Sequence, residues 1–369
     1  MRNKIKSIKL LIKKSDLDAV LISSVSNIVY LTDYCGFSYF EREAFLVITN
    51  KENYLITDGR YSEAVSDILG FELLEVSSTR RLEHIFKYLS EEKKIKKIGI
   101  EENNITVTES KKLKKYFRAM PVPDLQNLRI IKDEDEISKI EKACKLGDEA
   151  FDFILGKIKK GVTEQELAFE IEFFIKRKGA NISFPPIVAF GANSSIPHHN
   201  TSDQKLKTND PVLLDFGVKY QNYCSDMTRT IFFGKADEKF KKMYRAVLDA
   251  QKKAIEKLSH LGGGRMDSSE VNSRGIKASV IDKIARDYIV KQGFPTIPHS
   301  LGHGIGIEVH EQPRLSPKSK DILKEGMVFS IEPGIYIPGY GGVRIEDLVV
   351  LEKNASRLLT HSPKHLIET

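Results

Sequence analysis

Apolar residues recur along this chain at two periods, and the switches between them outline its organisation. Near the start, Ile5, Ile8 and Leu11 return at helical spacing within "MRNKIKSIKLLIKK", which predicts an amphipathic helix. Short apolar runs follow, "DAVLISS", "EAFLVIT", "NYLIT" and later "KIGIE", each bounded by polar residues as strands are. Helices are expected between and beyond them, around Leu82 to Leu89 and Glu109 to Tyr116. That alternation predicts a compact α/β domain over residues 1–130. "MPVPDLQNLRIIKDEDE" then joins two prolines to a charge run, the composition of a domain boundary.

A second domain is expected over residues 131–369. It opens with a long amphipathic helix from Glu134 to Leu155, striped by Ile137, Ile140, Ala143, Leu146 and Ala150. An internal repeat follows. "GVTEQELAFEIEFFIKRKG" runs from Gly161 to Gly179 and "GIKASVIDKIARDYIVKQG" from Gly275 to Gly293. Each reads as a turn glycine, an N-cap-like Thr163 or Ser279, an amphipathic helix and a glycine C-cap. Each precedes histidines and then a paired-strand segment with acidic residues, so two related halves facing each other are expected. "GGGRMDSSEVNSR", Gly262 to Arg274, interrupts the second half; rich in glycine and serine, it reads as a mobile loop.

Composition narrows what such a chain does. With 369 residues, 41% hydrophobic and 30% charged, it has the makings of a globular protein of two domains. The net charge of +7 raises the question of nucleic acid. Its lysines, however, are mixed with acids, as in "EEKKIKKIGIEE", and read as solvated faces, so no nucleic-acid partner is expected. The longest apolar run at the N-terminus, "LLI", is too short for a signal segment or a membrane span, so a cytoplasmic protein with no membrane partner is expected. Cys35, Cys144 and Cys224 lie far apart without a C-x-x-C pair; buried, apolar roles in a reducing compartment are expected for all three.

The chemistry gathers in two hairpins and one histidine-rich stretch. In "PVLLDFGVKYQNYCSDMTRTIFF", a loop at Lys219 to Asn222 would set Asp215 directly opposite Asp226 on one face of the sheet. A slipped register would instead turn one of them away. Two carboxylates among apolar flanks demand compensation, and a divalent cation supplies it economically. In "SIEPGIYIPGYGGVRIEDLVVL", Glu332 and Glu346 lie symmetrically about Gly339, and Arg344 shares a strand face with Glu346. Taken alone, such a glutamate pair is more often a surface pair. "HSLGHGIGIEVHE" holds His299, His303 and His310, with His303 between two glycines, which let neighbouring groups approach closely. His198 and His199 occupy the equivalent region of the first half. Four acids and one imidazole, without a thiolate, suit two divalent ions, Mn²⁺ first, with Co²⁺ or Zn²⁺ as alternatives. Such a pair lowers the pKa of a shared water and polarises a carbonyl, which is hydrolytic chemistry.

On these residues the second half resembles the pita-bread metallopeptidases, the family of aminopeptidase P, prolidase and methionine aminopeptidase. The likeness covers about residues 135–369, while residues 1–130 resemble the smaller N-terminal domain of the proline-specific members. "HSLGHGIGIEVHE" fits the proline-peptidase signature, with Ser300 where methionine aminopeptidases carry an aromatic or methionine residue. The resemblance implies an α/β (α+β) architecture whose C-terminal pita-bread domain has two pseudo-symmetric halves. It implies that Asp226 and Glu346 bridge two metal ions, that Asp215 completes one site, and that His303 with Glu332 completes the other. Glu332 would be the general base, His310 and His198 would steady the oxyanion, and His299 with Arg344 would line a proline pocket.

The implied activity is hydrolysis of the bond between an N-terminal residue and proline, on small peptides with proline in second position, by a homodimer. "YLITDGRYSEAV" resembles aminopeptidase P-type members; Arg344, beside Glu346, is a poor clamp for a free proline carboxylate, and no other basic residue lies in "GHGIGIEVHE" or "SIEPGIYIPG". An aminopeptidase is therefore expected, with a dipeptidase as the alternative. A non-catalytic relative acting as a binding module would have lost ligands, and a creatinase-type hydrolase has no need of the full set. The one departure is the stretch Gly262 to Arg274, longer than the family's usual turn.

Overall fold

The computed structural model describes residues 2–259, 271–272, 275–353 and 355–369. The expected mobile loop from Gly262 to Arg274 lies outside them apart from Val271–Asn272. The chain divides into two compact units, Met1–Arg129 and Ile130–Thr369. Among the described residues no helix is long and apolar enough to cross a membrane.

In the first unit a six-stranded mixed sheet is built from β1 (Ala19–Ile22), β2 (Ala44–Thr49), β3 (Asn53–Asp58), β4 (Glu72–Val76), β5 (Lys97–Ile100) and β6 (Arg118–Pro121). Their order is β4-β3-β2-β1-β5-β6. Helices α1 (Arg2–Lys14), α2 (Val25–Thr32), α3 (Ser62–Val65), α4 (Leu82–Glu91) and α5 (Val107–Leu113) connect and flank the strands. Leu21, Val47, Ile56, Phe86, Leu89 and Ile98 meet in its core. The sequence reading lacks α2, because Ser26 to Thr32 are all buried and no polar stripe marks the helix. It places α5 two residues late, since Thr106 and Glu109 form a capping box that starts the helix at Val107. Cys35, expected to be buried, is exposed, in the loop after α2; Cys144 and Cys224 are buried.

The second unit shows the repeat as structure. Helices α6 (Glu134–Leu155) and α8 (Glu238–Ser259) have 22 residues each, and α7 (Glu164–Arg177) and α9 (Ala278–Lys291) have 14 each. Leu167, Ile171 and Ile175 are the buried stripe of α7, and Ile281, Ala285 and Ile289 that of α9. Both helices end before a glycine with positive φ, Gly179 and Gly293, where an L side chain would be strained. The N-caps differ: Thr163 forms a capping box, whereas Ser279 lies inside α9 and Lys277 takes the cap position without a side-chain bond. Each helix pair packs on antiparallel strands. The first half orders them Met227–Phe233, Asp210–Phe216, Ile187–Phe190. In the second the order is Glu311–Leu315, Gly302–Gly304, Val328–Ile331, Asp347–Glu352, Ala355–Leu358.

Register decides which side chains meet. The expected four-residue loop is in fact a two-residue turn: Tyr220 pairs with Tyr223, and Gln221 and Asn222 both take positive φ, as tight hairpin turns require. Asp215 therefore stands opposite Thr228 rather than Asp226. The slip is by an even number of residues, so both aspartates keep the same face. The glutamate hairpin is centred where expected. Gly334 pairs with Arg344 and Ile331 with Asp347, leaving Glu332 and Glu346 in the gap between the two ladders.

Arg229 laces the two halves together. Only 1% exposed, its guanidinium donates to Asp347 Oδ1 at 2.6 Å, to the carbonyls of Thr228, Glu346 and Ser362, and through Nε to Pro363 O. Removing one partner of a buried ion pair strands the other. Arg229→Met is expected to cost about 3–5 kcal/mol of stability in urea unfolding; a loss below about 1 kcal/mol would show this lacing to be dispensable.

Candidate metal centre

Five side chains converge where strands end or break. Asp215 comes from Asp210–Phe216, Asp226 stands just before Met227–Phe233, and His303 is the middle residue of Gly302–Gly304. Glu332 follows Val328–Ile331 directly, and Glu346 lies between Gly341–Arg344 and Asp347–Glu352. Ligand atoms of Asp226, His303 and Glu346 all lie within 4.8 Å of one another. His303 Nε2 is 3.4 Å from Glu332 Oε1 and 3.6 Å from Asp226 Oδ2. The glycines beside His303 allow strands to touch there: a Cβ on Gly302 would fall 1.9 Å from Ser330 O, and one on Gly304 2.0 Å from Gln312 O.

Three of the carboxylates are held by one oxygen each. Arg344 Nη2 donates to Asp215 Oδ2 at 2.5 Å, Thr228 Oγ1 to Glu346 Oε2 at 2.7 Å, and Ser330 Oγ to Glu332 Oε1 at 3.2 Å. Asp215 Oδ1, Asp226 Oδ1 and Glu346 Oε1 are buried with no hydrogen-bond partner among the described residues. Unpaired buried carboxylate oxygens are costly, and a divalent cation bound by them would remove that cost. The imidazole matches. His303 Nδ1 lies 3.1 Å from Gly304 O, so Nδ1 carries the proton and Nε2 offers its lone pair to the cluster.

Electrostatics agree with that reading. Burial, and then the charges of Glu346 and Asp215, push Asp226 well above the usual carboxylate range. Glu332 is raised likewise by burial and Glu346, and Glu346 to about 8 by burial and Asp215. Burial, and then the charge of His310, lowers His303 to about 4, so it is neutral at neutral pH. Cys224 has its thiol raised to about 12, chiefly by burial, and stays protonated. The donor set of four carboxylates and one neutral imidazole suits Mn²⁺, Co²⁺ or Zn²⁺.

Around this cluster stand the other expected residues. The His310 ring lies 4.4 Å from that of His303, centroid to centroid. His299 Nδ1 bonds Ser300 O at 2.8 Å and Nε2 meets Tyr336 Oη at 2.9 Å, while Arg344 Nη1 donates to the same Tyr336 Oη at 2.9 Å. Burial above all holds His299 down to about 4. His198 is exposed, yet close enough that its charge acts on both His299 and His310. His199 turns away, onto Glu164.

Sequence reasoning missed four residues. Thr228 and Tyr336 share faces with Asp226 and Glu332 at even spacing, a signal that was available. Arg314 pairs with His303 across the sheet, which only the register reveals. Its Nε donates to Ser300 Oγ at 3.2 Å, and its charge adds to the lowering of both His303 and His310. Glu164 carries no motif.

Comparison with known proteins agrees with this geometry. Residues 138–353 match the model of metallopeptidase family M24, and residues 4–131 that of the creatinase/prolidase N-terminal domain. The chain is 37% identical to the Xaa-Pro dipeptidase of Pyrococcus horikoshii, over 100% of this chain and 99% of that one. Its structure is similar to that of an Xaa-Pro dipeptidase from Bacillus anthracis, at 34% identity and a TM-score of 0.88, covering 100% of this chain and 99% of the other. It is also similar to an X-Pro aminopeptidase from Thermotoga maritima, at 32% identity and a TM-score of 0.85, covering 96% and 98%.

A raised carboxylate pKa has a measurable consequence. The stability that protonated Glu346 contributes is fully present below its ordinary value near 4.5 and is lost as pH climbs through about 8. Below about pH 6.5 His299 and His303, lowered to about 4, act in the opposite sense, so chelator-treated protein is expected to melt at progressively lower temperature from about pH 7 to about pH 8. Mn²⁺ at about a hundred times its dissociation constant should restore about 2.7 kcal/mol at the alkaline end. Thermal unfolding with and without Mn²⁺ reads both effects; a melting temperature flat in pH and unmoved by Mn²⁺ would show that the carboxylates hold no cation.

Proposed function

Since the chain belongs to metallopeptidase family M24, in its proline-specific pita-bread branch, we propose that it is an Xaa-Pro dipeptidase, hydrolysing the bond that joins a free N-terminal residue to a C-terminal proline. Asp215, Asp226, His303, Glu332 and Glu346 would hold two divalent ions, manganese in this reading. When bound, such ions supply a water acidic enough to attack at neutral pH and polarise the scissile carbonyl.

The chain's own groups do the rest. Glu332, whose proton affinity is raised by burial and by Glu346, takes the proton of the attacking water and passes it to the proline nitrogen as the bond breaks. His310, beside His303 and with a pKa lowered chiefly by desolvation, donates an N–H to the carbonyl oxygen as it becomes an oxyanion, and His198 does so from the solvent side. His299, fixed by Ser300 and Tyr336, forms a wall for the proline ring, with Arg344 behind Tyr336.

The observation that carries the length limit is Arg314. An aminopeptidase is the reading when no cation beyond proline is in view, and Arg344 is indeed committed to Asp215, Tyr336 and Thr228. Arg314, however, lies just past the histidine-rich motif, exposed beside His303 and His310, and can receive a free proline carboxylate. The names of the Pyrococcus and Bacillus anthracis relatives favour the same reading. The likeness to the Thermotoga X-Pro aminopeptidase keeps the open-ended activity as the second reading. A homodimer in a reducing, cytoplasmic setting completes the proposal, resting on family likeness and on three free cysteines.

Two measurements test it. Ala-Pro is expected to be cleaved with a kcat/KM at least about tenfold above that of Ala-Pro-Ala, as a charge-assisted carboxylate contact implies, and Ala-Ala-Ala should be left intact. Equal rates on the two proline peptides would make the enzyme an aminopeptidase. Arg314→Ala should raise KM for Ala-Pro by about tenfold to about a hundredfold, the equivalent of about 1.5–3 kcal/mol. An unchanged KM would remove Arg314 from the substrate's carboxylate.

A further inference from the structure

Beyond Ile187–Phe190 and a short 3₁₀ turn at Gly191–Ser195, the segment carrying His198 has no regular structure, so something else must hold it. That something is a buried acid at the start of α7. Glu164 is 0% exposed. Its Oε1 accepts from Phe190 N at 2.8 Å and Asn193 Nδ2 at 2.9 Å. Its Oε2 accepts from Ser202 N at 2.9 Å and Ser202 Oγ at 2.6 Å, and meets His199 Nε2 at 2.8 Å. Five groups, drawn from both ends of the segment, thus converge on one carboxylate. Burial alone would raise its pKa, but these bonds outweigh burial and lower it, so it is charged at neutral pH.

The opposite side of the segment is held by the second half. Gly342 N donates to Ser194 Oγ at 2.8 Å, and Arg344 Nη1 to Pro197 O at 3.3 Å. His198 therefore sits between one neighbour tied to the centre through Arg344 and another tied to Glu164.

We propose that Glu164 and His199 are positioning residues for the reaction, fixing the backbone around His198 and so setting where its imidazole meets the substrate carbonyl. The role of His198 rests on the Xaa-Pro peptidase reading; the hold on the segment does not. A purely structural Glu164 would affect stability alone and leave each folded molecule fully active.

The test is a set of variants on the full-length, Mn²⁺-loaded protein. Glu164→Gln keeps the shape but sets an amide donor against the donors of Ser202. It is expected to lower kcat on Ala-Pro about tenfold or more, with KM within about twofold and metal content unchanged. His199→Ala should show the same split, and His199→Gln, which can still donate to Glu164, should recover most of the rate. Placed in a His198→Ala background, Glu164→Gln should cost little further, because the two act as one unit. Full additivity, or an unchanged kcat, would overturn the proposal. Amide hydrogen exchange over residues 190–202 is the readout that needs no substrate: Glu164→Gln should speed it, and unchanged protection would overturn the clamp even if the wild type cleaves no Xaa-Pro peptide. Should Glu164→Gln fail to fold, the two His199 variants carry the same comparisons.

Discussion

Four carboxylates drawn into one buried space repel one another, and the rest of the second unit is arranged around that repulsion. At about 4 Å two like charges cost about 4 kcal/mol even at an effective dielectric near 20. Each of Asp226, Glu332 and Glu346 is pushed up by burial and by its acidic neighbours. Left to itself the cluster would take up protons or open. A frame stiff enough to keep it closed, together with the cations of the proposed function to neutralise it, would offset this cost.

That stiffness has several sources. One oxygen each of Asp215, Glu332 and Glu346 is anchored, by Arg344, Ser330 and Thr228 respectively. The backbone behind them is laced by Arg229, which joins the strand Met227–Phe233 to Glu346, Asp347 and the C-terminal segment. Asp347 is shared further with Thr360 and Lys364, so the buried guanidinium and its acid are satisfied on all sides. Each half also ties its own histidine segment to its 14-residue helix with an acid: Glu164 in the first, and in the second Asp282, which accepts from Leu301 N and holds Arg286 against the carbonyls of Ile297 and His299.

Much of this was legible in the sequence, for reasons particular to each element. The repeat shows because both halves punctuate their shorter helix with glycines that the backbone requires. The glutamate hairpin shows because its glycine-rich centre fixes one register. The aspartate hairpin is read with the wrong loop length, since Gln221-Asn222 is an unobvious tight turn, but strand parity rescues the face. Arg314 and Glu164 are invisible for a different reason: each acts on residues far away in the chain, or across a sheet, and nothing in its local context announces the contact. Cys35 is misplaced because burial statistics describe a residue type and not a loop.

The bonds around His299 have one more consequence. Nδ1 faces the Ser300 carbonyl and so carries the proton of the neutral ring, which leaves Nε2 to accept from the Tyr336 hydroxyl, whose oxygen also accepts from Arg344. The ring has only its carbon edge and π face left to offer. At this position a residue known for proton transfer works as a flat, uncharged surface. In the proposed function, selection by that surface would depend on the shape of what lies against it, and the ring stays uncharged across the pH range in which cells live.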